Sequence, residues 1–367
     1  MLLFSNLKKY LLEGNIYFNH IDIIHHTNNI VTNSSKYVPN YVLNLPVDIQ
    51  YDIHIWYKNG ELYREGDLPA IIDYYDNVQP YMEYWYKNGD LHREGDLPAE
   101  IEYYENGQLK KETWYKNGIL HREGDLPAEI EYYENGQPKI ESWYKNIKLH
   151  REGDLPAEIH YYQNGQIQGK FWYINDKLHR KGDLPAEIEY YENGKPKRKS
   201  WYHQFQRKRN LPAIIEYYEN GNPKIKRWYI NYRLHRDGDL PAEIEYYKNG
   251  KPFIKRWYKN GAPHREGDLP AVIQYYQNGQ PYMKRWYKGI EQKIPGERIL
   301  EKTGILHREG DLYAQIEYFE NGQIKTQRWY KNGEMYREDD LPVQIDYYEN
   351  GQIKFEIWKK NGKLHRE

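Results

Sequence analysis

The eleven tryptophans fall at Trp56, Trp85, Trp114, Trp143, Trp172, Trp201, Trp228, Trp257, Trp286, Trp329 and Trp358, with successive gaps of 29, 29, 29, 29, 29, 27, 29, 29, 43 and 29 residues. Every tryptophan thus holds one phase of a 29-residue repeat. The consensus reads Trp-Tyr-Lys-Asn-Gly-x-Leu-His-Arg-Glu-Gly-Asp-Leu-Pro-Ala-Glu-Ile-Glu-Tyr-Tyr-Glu-Asn-Gly-Gln, followed by five variable positions. A module this short cannot bury an apolar side alone, so it must lean on its neighbours, and stability becomes a sum of nearest-neighbour terms. The tryptophans are the ladder of such an array.

Composition excludes the alternatives. Of the 39% hydrophobic residues in 367, 41 are Tyr and 11 are Trp, and the mean hydropathy is −1.07. That is too polar for one large core. Disordered chains are poor in aromatics and unbalanced in charge, whereas here aromatics reach 16% and 53 basic residues meet 54 acidic ones. The same balance argues against a general nucleic-acid binder or a polybasic membrane binder. With no cysteine, disulfides, thiol catalysis and thiolate metal sites are absent.

Within a repeat, Ala128-Glu129-Ile130-Glu131-Tyr132-Tyr133 alternates as a strand and ends in Glu134-Asn135-Gly136, a hairpin signal. Lys139 to Tyr144 returns. A two-residue loop would set Ile130 opposite Glu141 and Glu131 opposite Ile140. A three-residue loop with Gly136 left-handed sets Ile130 opposite Ile140 and Glu131 opposite Lys139. Register follows the buried face, so the second is expected, with Ile244 facing Ile254, Ile273 facing Met283 and Ile345 facing Phe355. A second turn at Lys145-Asn146 leads to a short strand, Lys148 to Arg151, and Gly153-Asp154-Leu155-Pro156 ends the pairing. Ile147, Asp176 and Tyr232 take the glycine position of this second turn. A β-branched residue resists positive φ, so that turn is expected to change type between repeats.

The expected architecture is all-β: an elongated array of antiparallel β-hairpin repeats over 46–367, about eleven of them, behind an N-terminal cap at 1–45. In the cap, Leu2, Leu3, Phe4, Leu7, Tyr10, Leu11 and Leu12 fall at helical spacing and suggest one short amphipathic helix covering the first strand edge. Lys8-Lys9 interrupts it, so a signal peptide is not expected, nor is a membrane span. A cytoplasmic location follows as an expectation. Asn33-Ser34-Ser35 matches a glycosylation acceptor, which needs a secretory route to matter. The 14-residue insertion near 289–303 and the shortened stretch after Trp201 both fall between Trp and Leu-Pro-Ala, so that segment reads as a connection tolerant of length change. The last residues, Leu364-His365-Arg366-Glu367, stop in mid-repeat, where an open edge could pair with another chain.

The recurring polar group is His-Arg-x-Gly-Asp, with histidines at 92, 121, 150, 179, 235, 264, 307 and 365. A metal needs its ligands gathered around one ion, and a ladder spreads them roughly 10 Å or more apart. No metal, cofactor or catalytic residue is therefore expected. Arg and the acids should pair across neighbouring connections, while His and Asp satisfy turn backbone. Charge changes along the array at the two positions before Trp. They read Glu112-Thr113 and Glu141-Ser142 early, then Lys226-Arg227, Lys255-Arg256 and Lys284-Arg285. With Lys197, Arg198, Lys199, Arg207, Lys208 and Arg209 these form a basic stripe, the candidate interaction surface. Glu216, Glu243 and Glu245 on the paired strands can neutralise much of it.

Tyr-Glu-Asn-Gly followed by Trp-Tyr-Lys-Asn-Gly-x-Leu-His-Arg resembles the MORN-repeat variant family, including YwqK-like antitoxin components, over residues ~46–367. Long arrays of this kind are similar to uncharacterised proteins of large DNA viruses of amoebae. The resemblance implies extended antiparallel hairpins. His-Arg replaces the His-Gly of standard MORN repeats, which are also shorter, so their phospholipid role transfers weakly. The expected function is a non-enzymatic scaffold that binds a protein partner. Its competitors are carbohydrate binding through exposed aromatic rings and binding to an anionic membrane surface.

Overall fold

The computed structural model describes residues 20–25, 52–58, 60–201, 211–293, 300–339, 341–360 and 363–366, and all regular elements among these are β-strands. The expected helix at 2–12, Asn33, and Arg207, Lys208 and Arg209 of the basic stripe lie outside the described residues. The chain divides into an N-terminal half, 1–180, and a C-terminal half, 181–367.

In the repeat around Trp143, Glu129–Tyr132 and Pro138–Ser142 form a long hairpin, and Tyr144–Lys145 with Lys148–Leu149 a short one. Pro138–Ser142 also pairs with Glu158–Tyr161 of the next repeat. Long hairpins thereby merge into an antiparallel sheet whose strands lie in chain order. In the N-terminal half it runs from Asp52–Lys58 to Ile167–Phe171, with His20–His25 parallel to the first of these strands. In the C-terminal half it runs from Glu187–Tyr190 to Ile353–Lys360. The short hairpins form two-stranded pieces beside it.

The first loop has its expected length. The Tyr133 N–H donates to the Gln137 carbonyl and the Gly136 N–H to the Tyr133 carbonyl, with Gly136 at φ 79°. The expected register, however, is wrong. Tyr132 faces Pro138, Lys139 bulges, and Glu131 then opposes Ile140 while Ile130 opposes Glu141. Likewise Ile244 opposes Lys255, Ile273 opposes Lys284 and Ile345 opposes Glu356. The bulge persists where Leu109 or Ile167 replaces the proline, so proline is not its cause. The expectation failed because it assumed one dry face. Ile130, Glu131, Ile140 and Glu141 are all half-buried, and an isoleucine between long charged side chains is covered by their aliphatic stems.

The second turn does not change type. Asn146 and Ile147 sit at φ 51° and 66°, beside 50° and 73° for Asn117 and Gly118. A two-residue link between paired strands needs both residues left-handed, and the pairing of Tyr144 with Leu149 holds Ile147 there. The insertion lengthens one short hairpin: Tyr287–Lys293 pairs with Leu300–Leu306. Gly304 of this extension backs onto Pro263, where a Cβ would come within 2.9 Å of the ring; only glycine fits.

In both halves the driest positions are the Pro-Ala step and the tryptophan. Ala99, Ala128 and Ala157 are 0–1% exposed and Trp85, Trp114 and Trp143 6–7%, as are Ala242 at 0% and Trp257 at 6%.

Candidate interaction surface

One tie joins a repeat to the one before it at most described tryptophans, complete at Trp85, Trp114, Trp143, Trp172 and Trp286 and without the indole hydrogen bond at Trp257 and Trp329. The Trp143 indole N–H donates to the Asp125 carbonyl at 3.0 Å, and the Arg151 guanidinium lies 3.9 Å over the indole ring. That guanidinium forks onto the Asp125 carboxylate through Nε at 3.0 Å and Nη2 at 2.9 Å. Asp125 can face the next repeat because it and Gly124 are both left-handed, at φ 56° and 75°. The same set recurs as Trp85, Arg93 and Asp67 and as Trp114, Arg122 and Asp96. It survives the insertion as Trp286, Arg308 and Asp268. The Arg122 fork holds the Asp96 carboxyl below its ordinary range. Stacking on a covered indole adds about 1–2 kcal/mol per repeat.

Two further links run repeat to repeat. The Tyr133 hydroxyl donates to the Tyr161 carbonyl at 2.8 Å, and Asn135 at the hairpin tip donates to the Gln163 carbonyl at 3.0 Å. The histidines serve turns: His92 Nδ1 accepts the Asn117 N–H, and His307 Nδ1 accepts the Asn332 N–H. These two imidazoles are thus committed to the next repeat's backbone, whereas Nδ1 of His150 has no hydrogen-bond partner among the described residues. Among the described residues no three His, Asp or Glu side chains gather as metal ligands.

The tryptophans do not offer stacking faces. Trp56, Trp85, Trp114, Trp143, Trp172, Trp228, Trp257, Trp286 and Trp329 are 5–8% exposed, each under its arginine. Trp201 and Trp358 are half-buried. Carbohydrate binding through the tryptophan ladder needs open rings, and this arrangement closes them.

The basic stripe splits in two, because successive residues of a strand point to opposite faces. Arg227, Arg256 and Arg285 lie on one face among acids and amides. Arg227 contacts Glu243 at 2.7 Å and Glu216 at 3.2 Å. Arg256 pairs with Glu243 and Glu245, and Arg285 donates to Gln315 at 3.0 Å. Arg198 lies 3.5 Å from Glu189 and Lys197 3.7 Å from the same side chain. Burial works against the Arg227 charge, but Glu243 and Glu216 outweigh it and its pKa rises. At Arg198, Arg227 and Arg256 this face is internally neutralised, whereas among the described residues Arg285 meets only an amide.

Lys199, Lys226, Lys255 and Lys284 lie on the other face. Across the sheet they alternate with isoleucines, in the order Ile188, Lys199, Ile215, Lys226, Ile244, Lys255, Ile273, Lys284, Ile316. Each ammonium sits over a tyrosine ring of the following repeat: Tyr217, Tyr246, Tyr275 and Tyr318, at 5.6, 5.5, 5.2 and 5.1 Å. Among the described residues no carboxylate lies within ion-pair distance of these four lysines.

In the N-terminal half the same row carries Glu83, Glu112 and Glu141 before it turns basic at Lys170, which opposes Ile159. Its order is Ile72, Glu83, Ile101, Glu112, Ile130, Glu141, Ile159. The corresponding tyrosines turn their hydroxyls to the acids: Tyr103 to Glu83 at 2.6 Å, Tyr132 to Glu112 at 2.5 Å and Tyr161 to Glu141 at 2.6 Å. Burial, then the hydrogen bond to the acid, pushes these phenols well above their ordinary pKa. Glu112 and Glu141 are visible at these positions in the sequence, but the row they form with Glu83 between isoleucines depends on the strand pairing. Reading the single column two residues before Trp finds the three acids.

A family profile described as the MORN repeat variant matches residues 99–117, 128–146, 186–203 and 343–357. The repeats are MORN-like. The matched stretches begin at the buried Ala99, Ala128 and Ala186, or at Val343 in their place, so the MORN-like unit spans the long hairpin and the buried step before it. The match is to the repeat and lends no support to the narrower YwqK-like or viral resemblance. No curated protein matches the chain. Two solved structures overlap it weakly: TcdB2-TccC3 without its hypervariable C-terminal region, at 10% identity and a TM-score of 0.13, and TcdB2-TccC3-Cdc42, also at 10% and 0.13. They cover 80% and 81% of this chain, which spans only 18% of each of theirs. Likeness at this level carries no argument.

Proposed function

We infer that this chain is a non-enzymatic repeat scaffold that mediates protein–protein interaction. MORN repeats in general serve protein or membrane interaction, and one observation favours the protein reading here. The Asp–Arg–Trp tie recurs in most described repeats and spends the repeated chemistry on joining one repeat to the next, while the side chains that vary stand on the sheet faces. Multiple equivalent contacts suit a broad partner surface, whereas catalysis needs a unique constellation. Among the described residues, a cavity at the Trp-side connections (Arg308 to Glu338) and one at the hairpin tips (Asn77 to Glu134) are both lined by repeat residues.

The test is affinity purification on the immobilised chain, run beside flotation with vesicles containing acidic lipid. The expected result is a discrete protein retained in stoichiometric amount, with the chain left behind by the vesicles. Retention of no protein, together with flotation on acidic vesicles, overturns the reading in favour of membrane binding. Turnover of a small molecule by the purified chain overturns it in favour of an enzyme.

A further inference from the structure

We propose that the chain binds a second copy of itself, the glutamate row of one copy's N-terminal half docking on the lysine row of the other copy's C-terminal half. The proposal goes beyond the scaffold reading and stands or falls separately from it.

Three features carry it. First, the signs are complementary and unanswered within each half. Glu83, Glu112 and Glu141 have tyrosine hydroxyls but no cation within ion-pair distance among the described residues. Lys226, Lys255 and Lys284 have tyrosine rings but no carboxylate. Second, the pitch matches. In both rows a charge recurs at every second strand, so each row carries one charge per roughly 10 Å. A run of three acids can therefore meet a run of three lysines without slipping out of step. Third, the intervening residue is isoleucine in both rows: Ile101 and Ile130 in one, Ile244 and Ile273 in the other. Setting acid on lysine also sets isoleucine on isoleucine; Ile101 is already buried, whereas Ile130, Ile244 and Ile273 are only half-buried and would gain cover.

Two sheets packed face to face stand about 10 Å apart, a gap that lysine and glutamate side chains span together. Sheet twist limits how far two rows can stay in step, so a contact over three or four repeats is expected rather than one along a whole half. An unrelated protein with spaced acids would use the lysines but would leave the glutamate row without a role. A second copy uses both.

The experiment is sedimentation equilibrium of the full chain across salt, with two charge-reversed variants. One carries Glu83→Lys, Glu112→Lys and Glu141→Lys; the other carries Lys199→Glu, Lys226→Glu, Lys255→Glu and Lys284→Glu. The wild-type chain is expected to exceed monomer mass at ~20 mM salt and to weaken at least tenfold by ~500 mM, as screening shortens the range of charge. Each variant alone presents two rows of like sign and should stay monomeric. Mixed one to one they should associate again, because the lysines of the first now meet the glutamates of the second. Circular dichroism and tryptophan emission check that both are folded. If either is not, the matching Glu→Gln and Lys→Gln sets, which remove charge without repulsion, must weaken association at least tenfold. A wild-type chain that stays monomeric at low salt overturns the proposal. So do association indifferent to either reversal and a mixture that fails to recover it. A monomeric chain that still retains a distinct protein leaves the scaffold reading standing.

Discussion

Glu112 in the N-terminal half and Lys255 in the C-terminal half occupy the same position of the repeat, two residues before Trp114 and Trp257. Both lie between isoleucines and beside the first tyrosine of the next Tyr-Tyr pair. Tyr132 gives its hydroxyl to Glu112, whereas Tyr275 gives its ring face to Lys255. A phenol has a donor at its tip and a negative face, so one tyrosine accommodates either charge. The fold therefore tolerates both signs here, and the run of three acids before Lys170 and of four lysines before Gln327 and Glu356 is not something the fold demands. By contrast the Asp–Arg fork recurs in both halves, because it joins one repeat to the next, and the complete tie with the indole hydrogen bond is found at Trp143 in one and at Trp286 in the other.

The largest effect that tests this contrast comes from deleting the tie. Trp143→Ala and Trp286→Ala each remove a buried indole that holds the complete tie and uncover an arginine, and each should cost about 3–5 kcal/mol. Hydrogen exchange at the neighbouring strands reads the local opening energy repeat by repeat. The two values should agree to within about 1 kcal/mol, allowing for ordinary context dependence. A much larger cost in one half would break the claim that the two share one inter-repeat tie.

How much of this was visible beforehand depends on what each residue answers to. The repeat, its strands, the left-handed Gly136 and the tie's members were legible, because local backbone demands and strict periodicity mark them. The pairing of Ile130 with Glu141 was not. It depends on the bulge at Lys139, which no local residue preference announces, and on both sheet faces being half wet. The unchanged turn at Ile147 was missed for a related reason: a neighbour-held register overrides one residue's dislike of positive φ. Of the candidate surface the sequence shows the basic pairs, but not that the alternation of side chains assigns the arginines to the face opposite the lysines and to Glu243 and Glu245.

That override has a measurable cost, the next effect in size. Ile147 in the N-terminal half and Tyr232 in the C-terminal half stand at φ 66° and 61°, a conformation that costs a non-glycine residue about 1–2 kcal/mol. Ile147 is 56% and Tyr232 89% exposed, so little packing is lost on removing either side chain. Ile147→Gly and Tyr232→Gly should each stabilise their repeat by about 1 kcal/mol after the glycine entropy is deducted. Urea titration followed by tryptophan emission checks both. A loss of stability at Ile147 alone would show that this side chain does more in its half than fill a turn.

Acid should act alike on the two halves, and more weakly per site. Hydrogen bonding to arginine depresses the carboxyls of Asp96 in one half and of Asp239 and Asp311 in the other. A depressed folded-state pKa means stability that is present above the unfolded value near about 3.9 and is lost as pH falls through the folded one. These carboxylates are about half exposed, so each pair is worth at most about 1 kcal/mol after screening. Acid titration of tryptophan emission should therefore fall below about pH 4, and Asp96→Asn and Asp311→Asn should each flatten part of that fall by a similar amount. A fall confined to one variant would mean that the tie is weighted differently in the two halves.

The smallest expected change is the sharpest for the comparison itself. Glu112→Lys converts one acidic position into the kind found at Lys255. If Tyr132 serves either sign as Tyr275 does, the lost Tyr–Glu hydrogen bond of about 1 kcal/mol is offset by an ammonium over the ring at about 0.5–1 kcal/mol. The net change should stay within about 0.5 kcal/mol, the level of an ordinary surface substitution. Tyr132→Phe separates the two modes. Phenylalanine keeps a ring face and lacks the hydroxyl, so it should penalise the wild-type background and leave the Glu112→Lys background nearly unchanged. A double-mutant cycle read by hydrogen exchange at Glu129–Tyr132 measures that difference. Equal penalties in both backgrounds would mean that the hydroxyl bonds elsewhere, and that the sign of this row is fixed by more than its tyrosine.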